Sequence, residues 1–360
     1  MSPGRVTVNE AVAVGQIKAS VIIPTYNRKE NLQKILGSLS TQTASPTNFE
    51  VIVVDDGSMD GSPRVADMWF PFRLCYLRQA NQGSAAARNA GAEHASGELL
   101  IFLDDDMLVE SGFVSGLLEA HEKYPDIVGM GSLRPYVSDR KNIFTRVYPL
   151  EEQLYKQRVF PVEEVTPLAE SEFVSFMECV SNNLSVRKDD FFSIGGMQDV
   201  AGDGPTWWGD VDFGYRAYLK GLRFHRSGLA FCTHCDQSVS DLATATARQY
   251  KSAVLAVALF NKFPALQDQL PMFQDMLPID PKIDPFKRVV RKVLRKFVST
   301  WVSLRILTGI ARFLERWYPS PALLRPLYRW ILGGFLYQGY QAGLKKYGPA
   351  DLPRSLFLAG

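Results

Sequence analysis

Three consecutive aspartates follow a short apolar run near the first third of the chain. Asp104, Asp105 and Asp106 come directly after residues 99–103, which read L-L-I-F-L. Such a run is typical of a strand buried on both faces of a parallel sheet, and ligands of open α/β sheets bind beyond the carboxyl ends of these strands. Adjacent carboxylates repel one another unless a cation relieves them, and their oxygens suit Mg²⁺ or Mn²⁺. Taken alone, the run also fits a strand with a solvated acidic turn.

Alternating strands and helices are predicted around this run. The predicted strands are residues 20–24, 49–54, 74–77, 99–103 and 127–131, and the predicted helices are residues 29–40, 83–95 and 113–123. Asn27 is the expected N-cap of the first helix, with Glu30 as its capping-box partner. Strands that alternate with helices in this way predict a parallel, doubly wound sheet.

The composition indicates a globular chain with a basic C-terminal part. With 360 residues and 46% hydrophobic content, the chain can bury one large core or two smaller ones. Residues 281–346 contain 14 Lys or Arg and two acids, so they carry +12 and the remainder −10 of the net +2. This asymmetry predicts an anionic partner for the basic part.

The N-terminal residues and the cysteines favour a cytoplasmic location. Apolar residues 11–15 are too few for a signal sequence, and no stretch reaches 18 uninterrupted apolar residues. The four cysteines are scattered, which is typical of reduced thiols. A zinc site at Cys232-Thr233-His234-Cys235 is disfavoured because no second ligand pair completes it.

Four motifs in order resemble the signatures of family 2 glycosyltransferases. They are I-I-P-T-Y-N-R at 22–28, V-V-D-D-G-S at 53–58, N-Q-G-S-A-A-A-R-N-A-G at 81–91 and F-L-D-D-D at 102–106. The resemblance covers about residues 20–234. It implies an α/β chain of the GT-A fold, with a Rossmann-like, mixed and mainly parallel sheet flanked by helices. The charge and the helical spacing of the later residues predict a basic helical C-terminal extension.

The resemblance, the proline content and the helical spacing together predict four parts of the chain. They are an N-terminal extension (1–18), a GT-A domain (19–263), a proline-rich linker (264–285) and a basic amphipathic helical region (286–360). The GT-A domain consists of a nucleotide-binding half (19–110) and an acceptor half (111–239). Residues 137–171 show no clear period, and insertions in this position usually shape acceptor specificity.

The resemblance also implies how a nucleotide-diphosphate sugar binds. The implied donor-binding residues are Pro24, Thr25, Asn27, Asp55, Arg88, Asp104, Asp105 and Asn182. Asp55 is expected to accept an N–H of a pyrimidine base, although D-D-G-S also forms ordinary turns. Arg88 is expected to face the nucleotide or the aspartates, although it also fits an exposed helix position. Asn182 is placed at the end of a predicted strand at 173–186.

A metal ion, Mn²⁺ or Mg²⁺, completes the implied donor site. Asp106 is its main expected ligand, Asp104 contacts the metal or the ribose, and His234 approaches the metal or the diphosphate from the last strand. The metal is expected to withdraw charge from the diphosphate as the sugar–phosphate bond breaks. The alternative for His234 is a core histidine with its hydrogen bonds satisfied.

Asp210 is the catalytic base that the resemblance implies. The family has an acidic pair before a helix here, whereas this chain has Gly209 in place of the usual glutamate. The N-terminal helix dipole favours an ionised Asp210, as a base requires. Trp207 and Trp208 suit stacking on an acceptor sugar. Asp212 is expected to pair with Arg216.

The C-terminal region is predicted to bind an anionic membrane surface. Residues 286–302 place apolar side chains at helical spacing opposite six basic ones. A helix of this kind lies in the membrane interface, with its cations near lipid phosphates. The alternative is a helix docked on the acidic catalytic domain.

Together these features predict a metal-dependent, inverting glycosyltransferase. The expected partners are a nucleotide-diphosphate sugar and a saccharide or lipid-linked acceptor, at the inner face of the cell membrane. No nucleic-acid partner is predicted. Two alternatives stay open at this point. The first is a sugar nucleotidyltransferase, although this chain lacks the glycine-rich phosphate loop that such an enzyme needs. The second is an inactive membrane-associated scaffold, which Gly209 in place of the glutamate would suit.

Overall fold

The computed structural model of the chain describes residues 6–9, 16–134, 143–148, 171–201, 207–235, 239–280, 282 and 284–349. These residues belong to two compact units. The first unit comprises Met1–Ser138 and Glu163–Asp236, and the second comprises Asp139–Val162 and Gln237–Gly360.

One sheet of ten strands is the centre of the described part of the first unit. The strands are β1 (Val6–Asn9), β2 (Ala19–Thr25), β3 (Phe49–Asp55), β4 (Arg73–Arg78), β5 (Leu99–Leu103), β6 (Met107–Val109), β7 (Ile127–Arg134), β8 (Glu172–Val174), β9 (Asn183–Arg187) and β10 (Arg223–His234). Their order is β1-β4-β3-β2-β5-β9-β7-β10-β6, with β8 beside β10. Strands β2, β3, β4, β5, β7 and β10 run in one direction, which confirms the mixed and mainly parallel sheet.

The helices divide between the two units. Those of the first unit are α1 (Lys29–Leu39), α2 (Ser84–His94), α3 (Phe113–Lys123), α5 (Lys188–Ile194) and α6 (Gly209–Leu219). Those of the second are α4 (Ile143–Val147), α7 (Leu242–Lys262), α8 (Leu266–Gln269), α9 (Phe286–Val298), α10 (Trp301–Trp317) and α11 (Pro321–Tyr347). The seven elements predicted between residues 20 and 123 are confirmed to within one residue at each end.

The centre of the sheet is buried on both faces. Every side chain of β3 and of β5 is buried, which explains why these strands read as apolar runs without alternation. Helix α2 packs closely on this centre because Gly91 has no side chain. A Cβ atom there would lie 2.4 Å from Cγ2 of Ile22 on β2. The packing holds the N-terminal turns of α2 near the carboxyl ends of β2 and β3.

Two local predictions in the first unit are wrong. Asn27 is not the N-cap of α1, since Arg28 holds that position without a side-chain cap hydrogen bond. Asn27 instead has a left-handed backbone (φ 53°), and its Oδ1 accepts a hydrogen bond from the N–H of Met59 at 2.7 Å. The predicted strand at 173–186 is interrupted by a 3₁₀ turn, Phe176–Glu178. It therefore forms two separate strands, β8 and β9, with different neighbours in the sheet.

The second unit begins earlier than the sequence predicts. Helix α7 was expected to end the GT-A domain, but it belongs to the second unit. It packs along α11, where Gly339 and Gly343 permit close approach. A Cβ atom at Gly339 would lie 2.2 Å from the carbonyl oxygen of Tyr250, and one at Gly343 would lie 2.7 Å from that of Val254.

The predicted proline-rich linker is also part of this unit rather than a free connection. It contains α8 and a 3₁₀ turn, Pro271–Met276. Leu266, Leu270 and Phe273 are buried, and the ring of Phe273 packs against Phe260 and Tyr340. Prolines start or limit these short elements, so composition alone did not distinguish them from a linker.

Candidate functional site

The three aspartates lie at the carboxyl end of β5, beside the end of β2, which in turn pairs with β3. In the register of the sheet, Thr25 at the end of β2 is opposite Asp55 at the end of β3. The backbone N–H of Asp104 donates to the carbonyl of Asn182 at 3.2 Å, which ties the start of the acidic turn to the approach of β9. The predicted position of the carboxylates, beyond the end of a buried central strand, is confirmed.

Asp104 forms an ion pair with Arg88 of α2. The guanidinium group of Arg88 is buried, whereas the Asp104 side chain is about one third exposed. The alternative of an exposed helix arginine is therefore wrong for Arg88, and it faces the aspartates as predicted. The next residue, Asn89, exchanges hydrogen bonds with the backbone of Met197 at 2.9 Å, and this anchors α2 to the turn after α5.

Asp105 is buried and has two partners on neighbouring elements. Its Oδ2 accepts a hydrogen bond from Thr25 Oγ1 at 2.8 Å, and its Oδ1 accepts one from Arg28 Nη1 at 3.0 Å. Burial raises the pKa of this carboxyl to about 6, although the charge of Arg28 and the Thr25 hydrogen bond oppose the rise. Asp105 thus holds the ends of β2 and β5 together.

Asp106 combines an ion pair with a carboxylate oxygen that has no hydrogen bond. Its Oδ2 accepts from Arg28 Nη1 at 2.9 Å, and its Oδ1 lies 3.4 Å from His234 Nε2. Burial alone would raise the pKa of this carboxyl, but His234 and Arg28 hold the pKa below its usual value. The Oδ1 atom is buried without a hydrogen-bond partner among the described residues. An acceptor left in this state suits a ligand that supplies positive charge.

His234 reaches Asp106 because of strand pairing. It ends β10, and β10 pairs antiparallel with β6, which begins immediately after the acidic turn. The backbone N–H of Cys235 also donates to the carbonyl of Asp106 at 2.8 Å. His234 therefore lies beside the acidic group. Its approach to a metal ion or a diphosphate stays a prediction, and a histidine whose polar contacts are satisfied within the protein stays the alternative.

Arg28 is the site residue that the sequence analysis missed. One of its guanidinium nitrogens contacts both Asp105 and Asp106, and its pKa is raised above the ordinary arginine value by these two carboxylates despite its partial burial. The signal was in the T-Y-N-R motif, since this arginine follows the end of the strand next to β5. Its role in the acidic group became visible only once β2 and β5 were paired.

Asp55 is more enclosed than a base-binding residue was expected to be. Its side chain has no exposed surface, and its Oδ1 accepts the N–H of Ser58 at 2.7 Å. Its Oδ2 lies 3.6 Å from Arg78 Nε. This geometry fits the turn-forming alternative, and the contact to a nucleotide base stays a prediction. Pro24, beside it on β2, is half-buried at the same sheet edge.

Asp210 lies in the first turn of α6, as predicted. Its Oδ1 accepts the N–H of Val211 at 2.9 Å, and the side chain is half-buried. Trp207 is half-buried and stays a candidate acceptor contact. Trp208 has only 4% of its surface exposed and a left-handed backbone, so it does not offer a ring face to a sugar in this structure. That expectation is corrected, because its ring is part of the first unit's interior.

The predicted pair of Asp212 and Arg216 is confirmed and is buried. Arg216 Nη2 lies 2.6 Å from Asp212 Oδ2. The same guanidinium group donates to the carbonyls of Ile194 at 2.6 Å and Gly196 at 2.8 Å. This arginine therefore fixes the start of α6 on the turn that Asn89 of α2 also contacts. Among the described residues, these contacts link the Asp210 helix to the helix that carries Arg88.

The three expected metal ligands do not form a preassembled cluster. Within the described ranges, no group of three His, Cys, Asp or Glu side chains is arranged to hold a metal ion. Asp106 and His234 are adjacent, whereas Asp104 is paired with Arg88. Two protein ligands are nevertheless sufficient for a cation that completes its coordination with water and substrate phosphates. Asn182 contributes one further buried oxygen, Oδ1, without a hydrogen-bond partner among the described residues.

Most of the expected acceptor region lies outside the described residues. Of residues 137–171, the structure describes 143–148 and 171. Tyr148, one of the aromatic residues in that stretch, is buried against Tyr328 in the second unit. It packs there as part of a hydrophobic cluster and does not face an acceptor.

Comparisons with known proteins show what the chain is similar to. Validoxylamine A glucosyltransferase from Streptomyces hygroscopicus subsp. limoneus is 33% identical over 229 residues, which are 56% of this chain and 48% of that protein. The chain thus spans about half the length of the curated relatives it matches. The mannosyltransferase PcManGT from Pyrobaculum calidifontis, solved with GDP-Man and Mn²⁺, has a TM-score of 0.54 at 17% identity, covering 93% of this chain and 90% of its own.

A further structure has a comparable fold. Residues 1–349 of TarS from S. aureus, solved in complex with UDP, give a TM-score of 0.50 at 17% identity, covering 91% of this chain and 92% of that one. These structural similarities show the fold, which is of the GT-A type. Residues 20–170 match the family described as Glycosyl transferase family 2. Over this range the chain is therefore similar to glycosyltransferases of family 2, and its GT-A fold carries the acidic group at the end of β5.

Proposed function

We propose that this chain moves a sugar from a nucleotide-diphosphate donor to a hydroxyl group of an acceptor. The donor site is the group of side chains at the carboxyl ends of β2 and β5. The observation that carries this proposal is that the three consecutive aspartates differ in the partners of their carboxylate oxygens. Arg88 holds Asp104, and Thr25 and Arg28 hold Asp105. Asp106 is held by Arg28 through Oδ2 alone, and its buried Oδ1 has no hydrogen bond.

A divalent cation, Mn²⁺ or Mg²⁺, fits this arrangement. Asp106 and His234 would hold it, since Asp106 Oδ1 is buried without a hydrogen bond and lies 3.4 Å from His234 Nε2. Asp104 stays a predicted additional ligand. When bound, the cation neutralises charge on the diphosphate as it leaves the sugar. The presence of Mn²⁺ and GDP-Man in PcManGT supports this part of the proposal.

The two arginines of the site prepare it for an anionic substrate. Arg28 and Arg88 compensate the charge of the aspartates, and they keep the acidic side chains in fixed positions before a ligand arrives. Preorganisation of this kind avoids rearrangement of charges during the reaction. Arg28, whose side chain is 45% exposed, is the one of the two that is open to the substrate.

The proposed reaction is a direct displacement that inverts the anomeric configuration. The acceptor oxygen forms a bond to the anomeric carbon, and the bond from that carbon to the diphosphate breaks. The nucleoside diphosphate leaves with the bonding electrons, and the acceptor proton passes to Asp210. The first turn of α6 supports this role, because a helix N-terminus stabilises an ionised carboxylate.

The donor nucleotide and the acceptor are proposed only as classes. UDP- and GDP-linked sugars are both candidate donors, since the two similar structures were solved with UDP and with GDP-Man. The acceptor is a saccharide or lipid-linked hydroxyl, with Trp207 as a candidate contact. A cytoplasmic location stays a prediction.

The proposal is tested by measuring nucleoside diphosphate release from UDP- and GDP-linked sugars, with and without an acceptor mixture. Nucleoside diphosphate release that requires Mn²⁺ or Mg²⁺ supports a transferase. If the acceptor mixture contains no suitable acceptor, slow hydrolysis of the donor still releases the diphosphate and can be detected. A nucleotidyltransferase would instead form nucleotide sugar from a sugar phosphate and a nucleoside triphosphate. Donor binding without turnover under any of these conditions would indicate an inactive scaffold.

A further inference from the structure

Helix α9 presents its apolar side chains to the outside of the second unit. Phe286 is 81% exposed and Phe297 is 70% exposed, and the residues between them on the same face are also exposed. The exposed apolar residues of α9 are Phe286, Val290, Val293, Leu294 and Phe297. They follow the i, i+4, i+7, i+8 and i+11 spacing of one helix face.

Basic side chains of the same helix are turned toward its own unit. Lys292 is buried, and its Nζ pairs with Asp284 at 2.5 Å. The guanidinium group of Arg295 is stacked 4.9 Å from the ring of Trp330. Arg291 Nε lies 2.6 Å from Asp275 Oδ2. The polar face of this amphipathic helix therefore packs against its own unit. In a helix that covers the core of a soluble protein, the apolar face packs inward instead.

Helix α10 continues the exposed apolar surface. Its exposed members are Trp301, Val302, Ile306, Ile310, Phe313 and Trp317. Five of them, from Val302 to Trp317, again share one helix face. No single helix among the described residues is both long and apolar enough to cross a membrane, and α9 and α10, which meet the criterion only as a pair, are bent by 88°.

The charges around this surface identify the partner that fits it. Helices α9 and α10 contain nine basic residues and one acid, Glu315, which accepts a hydrogen bond from Tyr328. Lys287, Lys296 and Arg305 are exposed beside the apolar face. A symmetric contact with a second copy would bring like charges together. A lipid surface instead accepts apolar groups in its acyl region and cations at its phosphates.

We infer that the exposed faces of α9 and α10 form a membrane-docking surface that inserts its apolar side chains into the lipid interface. This inference is independent of the proposed transferase activity. It extends the sequence-based expectation, in which residues 286–302 place apolar side chains in the acyl boundary and six cations near the phosphates of anionic lipid. Here several of those cations already have partners inside the unit. Apolar insertion is the main contribution, and the remaining exposed cations add to it.

Vesicle flotation of the full chain tests the inference, with phosphatidylcholine vesicles and with vesicles that also contain phosphatidylglycerol. The full chain should float with both, and at least half of the binding should survive 0.5 M NaCl, a salt level that screens exposed charges. The variant F297Q/V302Q/F313Q should bind about 100-fold more weakly, because three exposed apolar side chains no longer leave water. Since these side chains are exposed, thermal unfolding should be unchanged.

Two matched variants complete the experiment. M59Q/W69Q removes exposed apolar side chains of the first unit and should bind vesicles as the wild type does. K287Q/K296Q/R305Q should reduce binding to phosphatidylglycerol vesicles without removing binding to phosphatidylcholine. Binding that is lost in salt, or lost only in the cation variant, overturns the inference in favour of electrostatic attachment. Failure to float, or a dimer in light scattering that F297Q/V302Q/F313Q abolishes, overturns it as well.

Discussion

At the scale of single residues, the acidic turn after β5 functions as a unit with Arg28. This arginine contacts Asp105 and Asp106 with the same nitrogen, and it comes from the loop after β2. Two carboxylates this close would repel each other without it. Arg28 therefore fixes the orientation in which Asp106 presents Oδ1, the oxygen without a hydrogen bond, to His234.

Replacing Arg28 tests this role. R28Q should lower kcat/KM for the donor by about 10- to 100-fold, since hydrogen bonds to charged groups contribute about 1.5–3 kcal/mol each. R28K should recover only part of this loss, because an ammonium group lacks the planar geometry of a guanidinium. R64Q changes an exposed arginine of the same unit and should be neutral. Wild-type kinetics in R28Q would show that the aspartates do not need this partner.

The role of Asp210 is tested by a substitution that keeps its shape. D210N should reduce transfer by about 10²- to 10⁴-fold while donor binding persists, because only the proton acceptor is lost. Single-turnover transfer and donor titration measure the two effects separately. D189N, an exposed aspartate in the first turn of α5, is the matched control. If D210N turns over normally, the base lies elsewhere in the chain.

At the scale of secondary-structure elements, local sequence was sufficient for the central strands and insufficient wherever distant segments decide. The mainly apolar segments of β3 and β5 are buried on both faces of the sheet, and polar residues follow each of them. The bounds of these strands were therefore predictable. Asn27 looked like an N-cap, but its side chain is used by Met59, which is far away in sequence. The same limit explains why Arg28 was missed and Trp208 was misplaced. The positions of Asp104–Asp106 and of His234 were predictable because each of them follows or ends a strand.

The buried pair of Asp212 and Arg216 should stabilise the placement of α6 more than a surface pair would. D212N leaves a buried guanidinium without its counter-charge, which costs about 3–5 kcal/mol in the free energy of unfolding. The matched control is D126N, which breaks the pair of Asp126 and Arg223, two side chains about half exposed. That control should cost less than about 1 kcal/mol. Urea unfolding followed by fluorescence compares them, and equal costs would contradict a structural role for the buried pair.

At the scale of the whole molecule, the first unit contains a buried histidine that links its stability to pH. His121 of α3 hydrogen-bonds through Nε2 to Ser185 Oγ of β9 at 2.9 Å. Burial, together with the charges of Arg187 and His225, lowers the pKa of His121 to about 3. The unfolded chain, with a histidine pKa of about 6.5, binds this proton more readily. Stability is therefore complete above pH 6.5 and decreases as the pH falls toward 3.

The corresponding prediction concerns the pH dependence and not the absolute stability. Between pH 7 and pH 5, His121 should account for a loss of about 2 kcal/mol in the free energy of unfolding. H121Q should remove that part of the dependence, even though it destabilises the fold at pH 7. H94Q changes an exposed histidine of α2 and should alter the dependence by less than about 0.5 kcal/mol. An unchanged pH dependence in H121Q would place the titrating group elsewhere.

The central claim is that Asp106 and a divalent cation together bind the diphosphate of a nucleotide sugar. Calorimetric titration of UDP and of GDP, with Mn²⁺ and with excess chelator, measures this most directly. We predict that the wild type and D189N bind at least one of the two nucleotides only when Mn²⁺ is present, and that D106N does not. Binding of equal strength in excess chelator, or metal-dependent binding that D106N retains, would contradict the claim.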